Sequence, residues 1–208
     1  MSKIPALGIY GGTFSPPHDG HLNAINAFLC EVALDKLLVM PAKLPPHKII
    51  DPHDHPEHRL AMTRLMLSDH PEWDSRLSVC DWEINQSEKS YTVYTLRHFK
   101  KEADRLFFLM GTDMLLSFHE WYMPDEISRL ATLVFMRREQ SDAEIDKKIA
   151  NQLEFLKKKF GAEIIELSSR VLPLDSTSLR SALSRGERPS GIRPAVYDYI
   201  KKNGLYGS

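Results

Sequence analysis

Cysteine is scarce in this chain: Cys30 and Cys80 are the only two in 208 residues. Unclustered, they make neither a disulfide framework nor a metal motif. Cys30, inside an apolar helical pattern, reads as a small core residue. Long apolar runs are also missing. Nothing approaches the ~18 consecutive apolar residues of a membrane-crossing helix, and no signal peptide is evident. No membrane partner is therefore expected, and the cytoplasm is the expected location. Neither sign of charge is in excess: 27 Lys and Arg against 28 Asp and Glu leave a net charge of −1. Such a balance gives no field to draw the chain to nucleic acid. Repeats, low-complexity segments and linkers are absent, so one domain over residues 1–208 is expected, its C-terminal part helical from about residue 175. With 42% apolar residues, the chain can bury a substantial core.

Two familiar phosphate-binding signatures are absent too. A P-loop needs a Lys after its last glycine, and the dinucleotide fingerprint needs a third glycine at a set offset. What stands in their place is Gly11-Gly12-Thr13-Phe14-Ser15-Pro16-Pro17-His18-Asp19-Gly20-His21. An apolar run at residues 6–10 precedes it and a helical pattern at 22–30 follows. Strand, glycine turn, histidine pair and helix follow one another. Glycines let a backbone approach a phosphate closely, and a helix start adds N–H groups and a positive dipole end. His18 and His21, three apart at that start, face one ligand together. The string resembles the His-x-Gly-His signature of the nucleotidyltransferases related to class I aminoacyl-tRNA synthetases, in which the two histidines hold a nucleoside triphosphate.

Further apolar runs at residues 36–41, 77–84, 105–110, 130–136 and 164–167 read as strands, and helical patterns fall between them. This alternation predicts an α/β fold, a Rossmann-like doubly wound parallel sheet flanked by helices, with a small C-terminal helical segment. Ligands of such sheets bind where the strands end. Pro45-Pro46-His47-Lys48 is a stiff loop at that edge, and Lys48 is a phosphate candidate. Residues 51–58 hold three histidines and three carboxylates, but their spacing fits no metal-ligand pattern, so a solvated loop is expected and no protein metal site. A helix opens near Tyr91, with Ser90 or Thr92 as its N-cap. Gly111-Thr112-Asp113 ends a strand with an acid placed for sugar hydroxyls. Trp121 and Tyr122 suit stacking on a flat heterocycle. Asp175-Ser176-Thr177-Ser178-Leu179-Arg180 offers a second phosphate cradle.

Together these pieces, in this order, resemble the bacterial nicotinate-nucleotide adenylyltransferases over nearly the whole chain. The resemblance implies transfer of the adenylyl group of ATP to nicotinate mononucleotide, giving deamido-NAD and pyrophosphate, with Mg²⁺ accompanying ATP. It implies that His18, His21, Ser176, Thr177 and Arg180 hold the triphosphate. Gly11, Gly12, Thr13, Phe14, Gly20 and Gly111 would contact the nucleotide, and Asp113 would meet a ribose. Lys48, Thr92, Trp121, Tyr122 and Arg137 would serve the mononucleotide, with Trp121 near the pyridine ring. The nucleophile, a phosphate monoester, is already ionised, so the residue types fit a task of positioning and charge neutralisation.

Two positions depart from the family pattern, which usually has Asp at the position of Ser15 and Ser at that of Asp175. Either the two changes compensate, moving one carboxylate across the site, or one of these residues caps a turn or helix and never nears ATP, or the site has lost activity. Another small-molecule adenylyl- or cytidylyltransferase, such as the pantetheine-phosphate enzyme, and a non-catalytic ATP-binding sensor remain as alternatives. The sequence leaves the oligomeric state open, a homo-oligomer included.

Overall fold

A computed structural model of the chain describes residues 3–45, 54–73, 75–137, 142–170 and 172–208. Six strands form one parallel sheet: β1 (Ile4–Gly12), β2 (Lys36–Pro41), β3 (Leu77–Val79), β4 (Ala103–Gly111), β5 (Thr132–Met136) and β6 (Ile164–Glu166). Their order is β3-β2-β1-β4-β5-β6. The order reverses between β1 and β4, and a crevice opens at such a switch point. Ile9 pairs with Phe108, and Gly12 with Pro41, so β1, β2 and β4 end along one edge.

The strands are apolar on both faces because both are covered. Ala6, Leu37, Val39, Phe107, Leu109, Val134 and Met136 join one core, together with α1 (Asp19–Glu31), α2 (Pro56–Leu67), α7 (Ser176–Ser184) and α8 (Pro194–Lys202). Leu7, Ile9, Leu38, Met40, Leu106, Phe108, Met110, Leu133 and Phe135 join the other. That face carries α3 (Thr92–Phe99), α4 (Thr112–Ser117), α5 (Pro124–Leu130) and α6 (Ala143–Phe160). Each large apolar side chain so buried contributes about 1.5–3 kcal/mol. The doubly wound sheet is thus as the sequence indicates.

Several local expectations need correction. β3 stops at Val79 rather than running to residue 84, and the chain turns so that Glu83 enters the interior. Neither Ser90 nor Thr92 caps α3: Tyr91 holds the N-cap position without a side-chain bond. The Ser90 hydroxyl instead accepts the N–H of Lys43 at 3.0 Å, which ties the loop after β2 to the start of α3. The helix expected over 114–121 is α4 followed by a short 3-10 turn, Phe118–Glu120. α5, too short for a periodic signal, begins at Pro124 after Met123 adopts a left-handed conformation (φ 58°). Cys30 is exposed, not core. The solvated loop expected over 51–58 includes Asp54, which is buried, and runs into α2 at Pro56. No helix among the described residues is long and apolar enough to cross a membrane.

Candidate active site

A cavity of about 740 Å³ opens at the switch point, where β1 and β4 end. Gly11, Gly12, Thr13, Phe14, His18, Gly20 and His21 line it from the β1–α1 segment. Ser176, Thr177 and Arg180 of α7 line it from the C-terminal part. Gly111, Asp113, Thr92, Trp121 and Tyr122 line the remainder. Lys48 lies outside the described residues. Arg137 is not in the lining; its guanidinium pairs with Asp146 and with Glu166 at 2.5 Å, an engagement local sequence could not show.

The two histidines cap α1 reciprocally. His18 is the N-cap, and its Nδ1 accepts the N–H of Gly20 at 3.1 Å. The Nδ1 of His21 accepts the N–H of His18 at 3.2 Å. An imidazole nitrogen that accepts a hydrogen bond carries no proton, so each ring presents Nε2–H as its donor. The rings lie 3.8 Å apart, centroid to centroid, and both are buried. Phe14 packs against His21 at 4.8 Å and edge-on to Tyr10 at 5.5 Å, which fixes the second imidazole from behind.

That packing also explains one glycine. A Cβ on Gly12 would stand 2.9 Å from Cε2 of Phe14, a side chain only 1% exposed. Phe14 itself sits at φ 53°, in the left-handed region that non-glycine residues avoid. Gly11 has room by comparison, with its nearest neighbour at 3.6 Å.

α7 is docked directly on the loop between β1 and α1. Ser176 Oγ donates to the carbonyl of Pro16 at 3.1 Å. Arg180 Nη1 donates to the carbonyl of Ser15 at 2.7 Å, and Nη2 to Thr177 Oγ1 at 3.2 Å. The two candidate phosphate-binding segments, far apart in sequence, therefore meet across Ser15 and Pro16.

The two departures from the family pattern are resolved differently. Asp175 is the N-cap of α7 and accepts from the N–H and the hydroxyl of Ser178 at 2.9 and 2.8 Å. Those bonds hold its carboxyl below the usual range. It also lines the cavity, so capping does not remove it from the site. The Ser15 hydroxyl donates to Asp54. Asp54 is set beside Arg59, Nε to Oδ1 3.7 Å. Burial raises the Asp54 carboxyl above the ordinary aspartate value, opposed by the Ser15 bond and by Arg59 and Arg180. The buried Arg59 donates to the carbonyls of Thr13 (3.2 Å), Ala42 and Lys43 (3.0 Å), bracing the loops after β1 and β2. Tyr206 Oη reaches Asp54 Oδ1 at 3.5 Å. Asp54, Arg59 and Tyr206 escaped the sequence reading because they meet only in the folded chain.

At the opposite end, α3 starts with no capping side chain, and its first residue, Thr92, lines the cavity. Trp121 packs on Phe118 (5.3 Å) and edge-on to Phe108 (6.1 Å), and Tyr122 on Tyr91 (4.8 Å). Tyr122 is 47% exposed. Glu83, buried beneath this end, accepts from Thr95 Oγ1 at 2.6 Å. Among the described residues no group of three or more His, Cys, Asp or Glu is arranged to hold a metal.

Known proteins match this arrangement. A family described as cytidylyltransferase-like matches residues 9–182. A protein of Chromobacterium violaceum, described as a probable nicotinate-nucleotide adenylyltransferase, is 36% identical, covering 96% of this chain and 98% of its own. One of Clostridium botulinum (strain Alaska E43), with the same description, is 34% identical, covering 96% of each. Among solved structures, Plasmodium falciparum nicotinic acid mononucleotide adenylyltransferase complexed with NaAD superimposes with a TM-score of 0.74, at 19% identity over 97% of both chains. That likeness speaks to the fold, and the sequence relatives to the family. The chain belongs to the nicotinate-nucleotide adenylyltransferases, within the cytidylyltransferase-like family.

Proposed function

We infer that this chain transfers the adenylyl group of ATP to nicotinate mononucleotide, giving deamido-NAD and pyrophosphate. The observation that carries the reading is the meeting of two Nε2–H imidazoles with Ser176, Thr177 and Arg180 at the edge where β1 and β4 end. These are donors for a triphosphate, contributed from both ends of the chain. An oxygen of the mononucleotide phosphate attacks the α-phosphorus of ATP; the bond from that phosphorus to the bridging oxygen breaks, and pyrophosphate leaves with the electron pair. The attacking oxygen is already ionised, so no residue need remove a proton. Holding two polyanions in line can supply about 7–11 kcal/mol of the barrier. Donors fixed in place supply the rest as charge builds on the leaving group.

Mg²⁺ would enter with ATP, and Asp113 and Asp175, which line the cavity, would be the carboxylates able to hold its hydration waters. When bound, it neutralises charge on the departing pyrophosphate. Lys48 is assigned to phosphate. Thr92, Trp121 and Tyr122 are assigned to the mononucleotide: the amides at Thr92 and Tyr122 suit the nicotinate carboxylate, and the indole suits the pyridine ring. Arg137, held by two carboxylates outside the lining, is assigned no part.

Pyrophosphate release with ATP and each mononucleotide at equal concentration tests this reading. Donors aimed at a carboxylate reject an amide, whose NH₂ end would face them. The acid is therefore expected to be preferred by on the order of 10²-fold in kcat/KM. ATP binding by calorimetry with turnover on neither mononucleotide would overturn the reading. Equal use of both would overturn the assignment of the Thr92 end.

Gly20 gives a narrower test. A Cβ there would stand 2.9 Å from Nδ1 and Cε1 of the His18 ring. Gly20→Ala is expected to push that imidazole aside and lower kcat by about 10²-fold, the cost of misplacing a group by about 1 Å. Its thermal midpoint should move by only a few degrees, because alanine is otherwise at home in a helix. Full activity in Gly20→Ala would show that the His18 ring is not positioned through this contact.

A further inference from the structure

We propose that Asp54 is a positioning residue for ATP: one buried carboxylate beneath the phosphate loop, fastened to Ser15 and facing Arg59, holds the loop and Arg180 in their binding geometry. The inference rests on the reading that the histidine loop binds ATP. Asp54 does not line the cavity. Its effect must pass through Ser15. The Ser15 hydroxyl donates to Asp54, while the Ser15 carbonyl accepts from Arg180 at 2.7 Å. One residue is thus gripped from both sides, by a carboxylate below and by a triphosphate-binding guanidinium above.

Charge balance makes the carboxylate necessary. Arg59 and Asp54 are 1% and 5% exposed. Nη1 and Nη2 of Arg59 are used on three carbonyls, while Nε is buried without a hydrogen bond and has Asp54 Oδ1 at 3.7 Å. A buried guanidinium remains charged and needs a counter-charge close by. The groups facing Asp54 are Ser15, Arg59, Arg180 and Tyr206: two cations and two hydroxyls. Arg59 also feels Glu57, more weakly than Asp54, so among the described residues Asp54 is the principal counter-charge to the Arg59 guanidinium and is felt by Arg180 as well. Because Ser15 and Asp54 are in contact, the charge could be carried from either side of that contact, but not from both and not from neither.

The test is a four-cornered cycle of wild type, Asp54→Ser, Ser15→Asp and Ser15→Asp/Asp54→Ser, read by ATP affinity in titration calorimetry and by the KM of each substrate. Each single change is expected to weaken ATP binding about tenfold or more and to leave the KM for nicotinate mononucleotide within about twofold. The double change, with its carboxylate returned to the pair, is expected to recover ATP affinity to within about threefold of wild type, a non-additivity that independent sites do not show. A double variant no better than its worse parent would overturn the proposal. So would equal weakening of both substrates, which marks a merely structural role. Should a serine or aspartate single variant fail to fold, Asp54→Asn decides: it keeps the shape and the acceptor for Ser15 and removes only the charge. Wild-type ATP affinity in Asp54→Asn would overturn the proposal. The controls separate the two readings: a wild type that binds ATP without making deamido-NAD refutes the functional assignment, while the affinity cycle still judges Asp54.

Discussion

His21→Ala is expected to lower kcat by about 10²–10³-fold, the loss seen when one fixed donor to a developing charge is removed. The KM for nicotinate mononucleotide should stay within about threefold, because that substrate is assigned to the Thr92 end of the cavity. The imidazole is suited to the role by its surroundings. Its Nδ1 is occupied by the His18 amide and its face is backed by Phe14, so Nε2–H is the donor it can offer. His18→Ala should lose a similar factor in kcat, and each single variant about 0.5–2 kcal/mol of stability, because the two rings cap α1 reciprocally. The double variant should be little worse in kcat than either single one, since the pair acts as a unit. Steady-state kinetics on the three chains, with urea denaturation alongside, checks all of this. Additive losses in kcat would show two independent donors. Unchanged kcat in His21→Ala would remove this ring from the chemistry.

The parts of the site that could be read in sequence are those whose partners are close in the chain. His18, Gly20 and His21 are one helix start, and their spacing alone places both rings on one side. The strands were legible because burial on both faces writes continuous apolar runs, as in Leu37-Leu38-Val39-Met40. A cap at position 15 or 175 is legible for the same local reason, but not that the capping residue, Asp175, also lines the cavity. What could not be read depends on distant partners. Ser90 looks like a cap, yet its hydroxyl is taken by the loop after β2. Arg137 looks available at a strand end, yet Asp146 and Glu166 converge on it. Asp54 sits among prolines and histidines that read as solvated. Arg59 of α2, Ser15 of the loop between β1 and α1, and Tyr206 draw it inside. The departure at Ser15 was visible, but its partner was sought at Asp175. Only the fold shows the carboxylate one contact away.

The largest loss of stability is expected from Arg59→Ala, about 3–5 kcal/mol, the usual cost of leaving a buried charge without its partner. At about 2–4 °C per kcal/mol for a domain of this size, the thermal midpoint should fall by roughly 6–20 °C. Two effects add. The carbonyls of Thr13, Ala42 and Lys43 lose their donor, and Asp54 is left buried with its nearest cation gone. The second effect has a pH signature. Burial already raises the Asp54 carboxyl, and without Arg59 it must rise further. The folded variant then keeps a proton that the unfolded chain releases above its ordinary value of about 3.9. A folded pKa above the unfolded one gives a contribution that is complete below the unfolded value and is lost as pH rises through the folded one. The deficit of Arg59→Ala relative to wild type should therefore be smaller at pH 5 than at pH 8, as measured by urea midpoints at both. Arg59→Ala/Asp54→Asn removes the orphaned charge as well, and it should recover part of the loss at pH 8 and less at pH 5. A deficit independent of pH would assign the whole cost to the three carbonyls and the space left by the side chain. A deficit under about 1 kcal/mol, within the range of ordinary surface substitutions and single hydrogen bonds, would mean that the loops after β1 and β2 hold their places without this guanidinium.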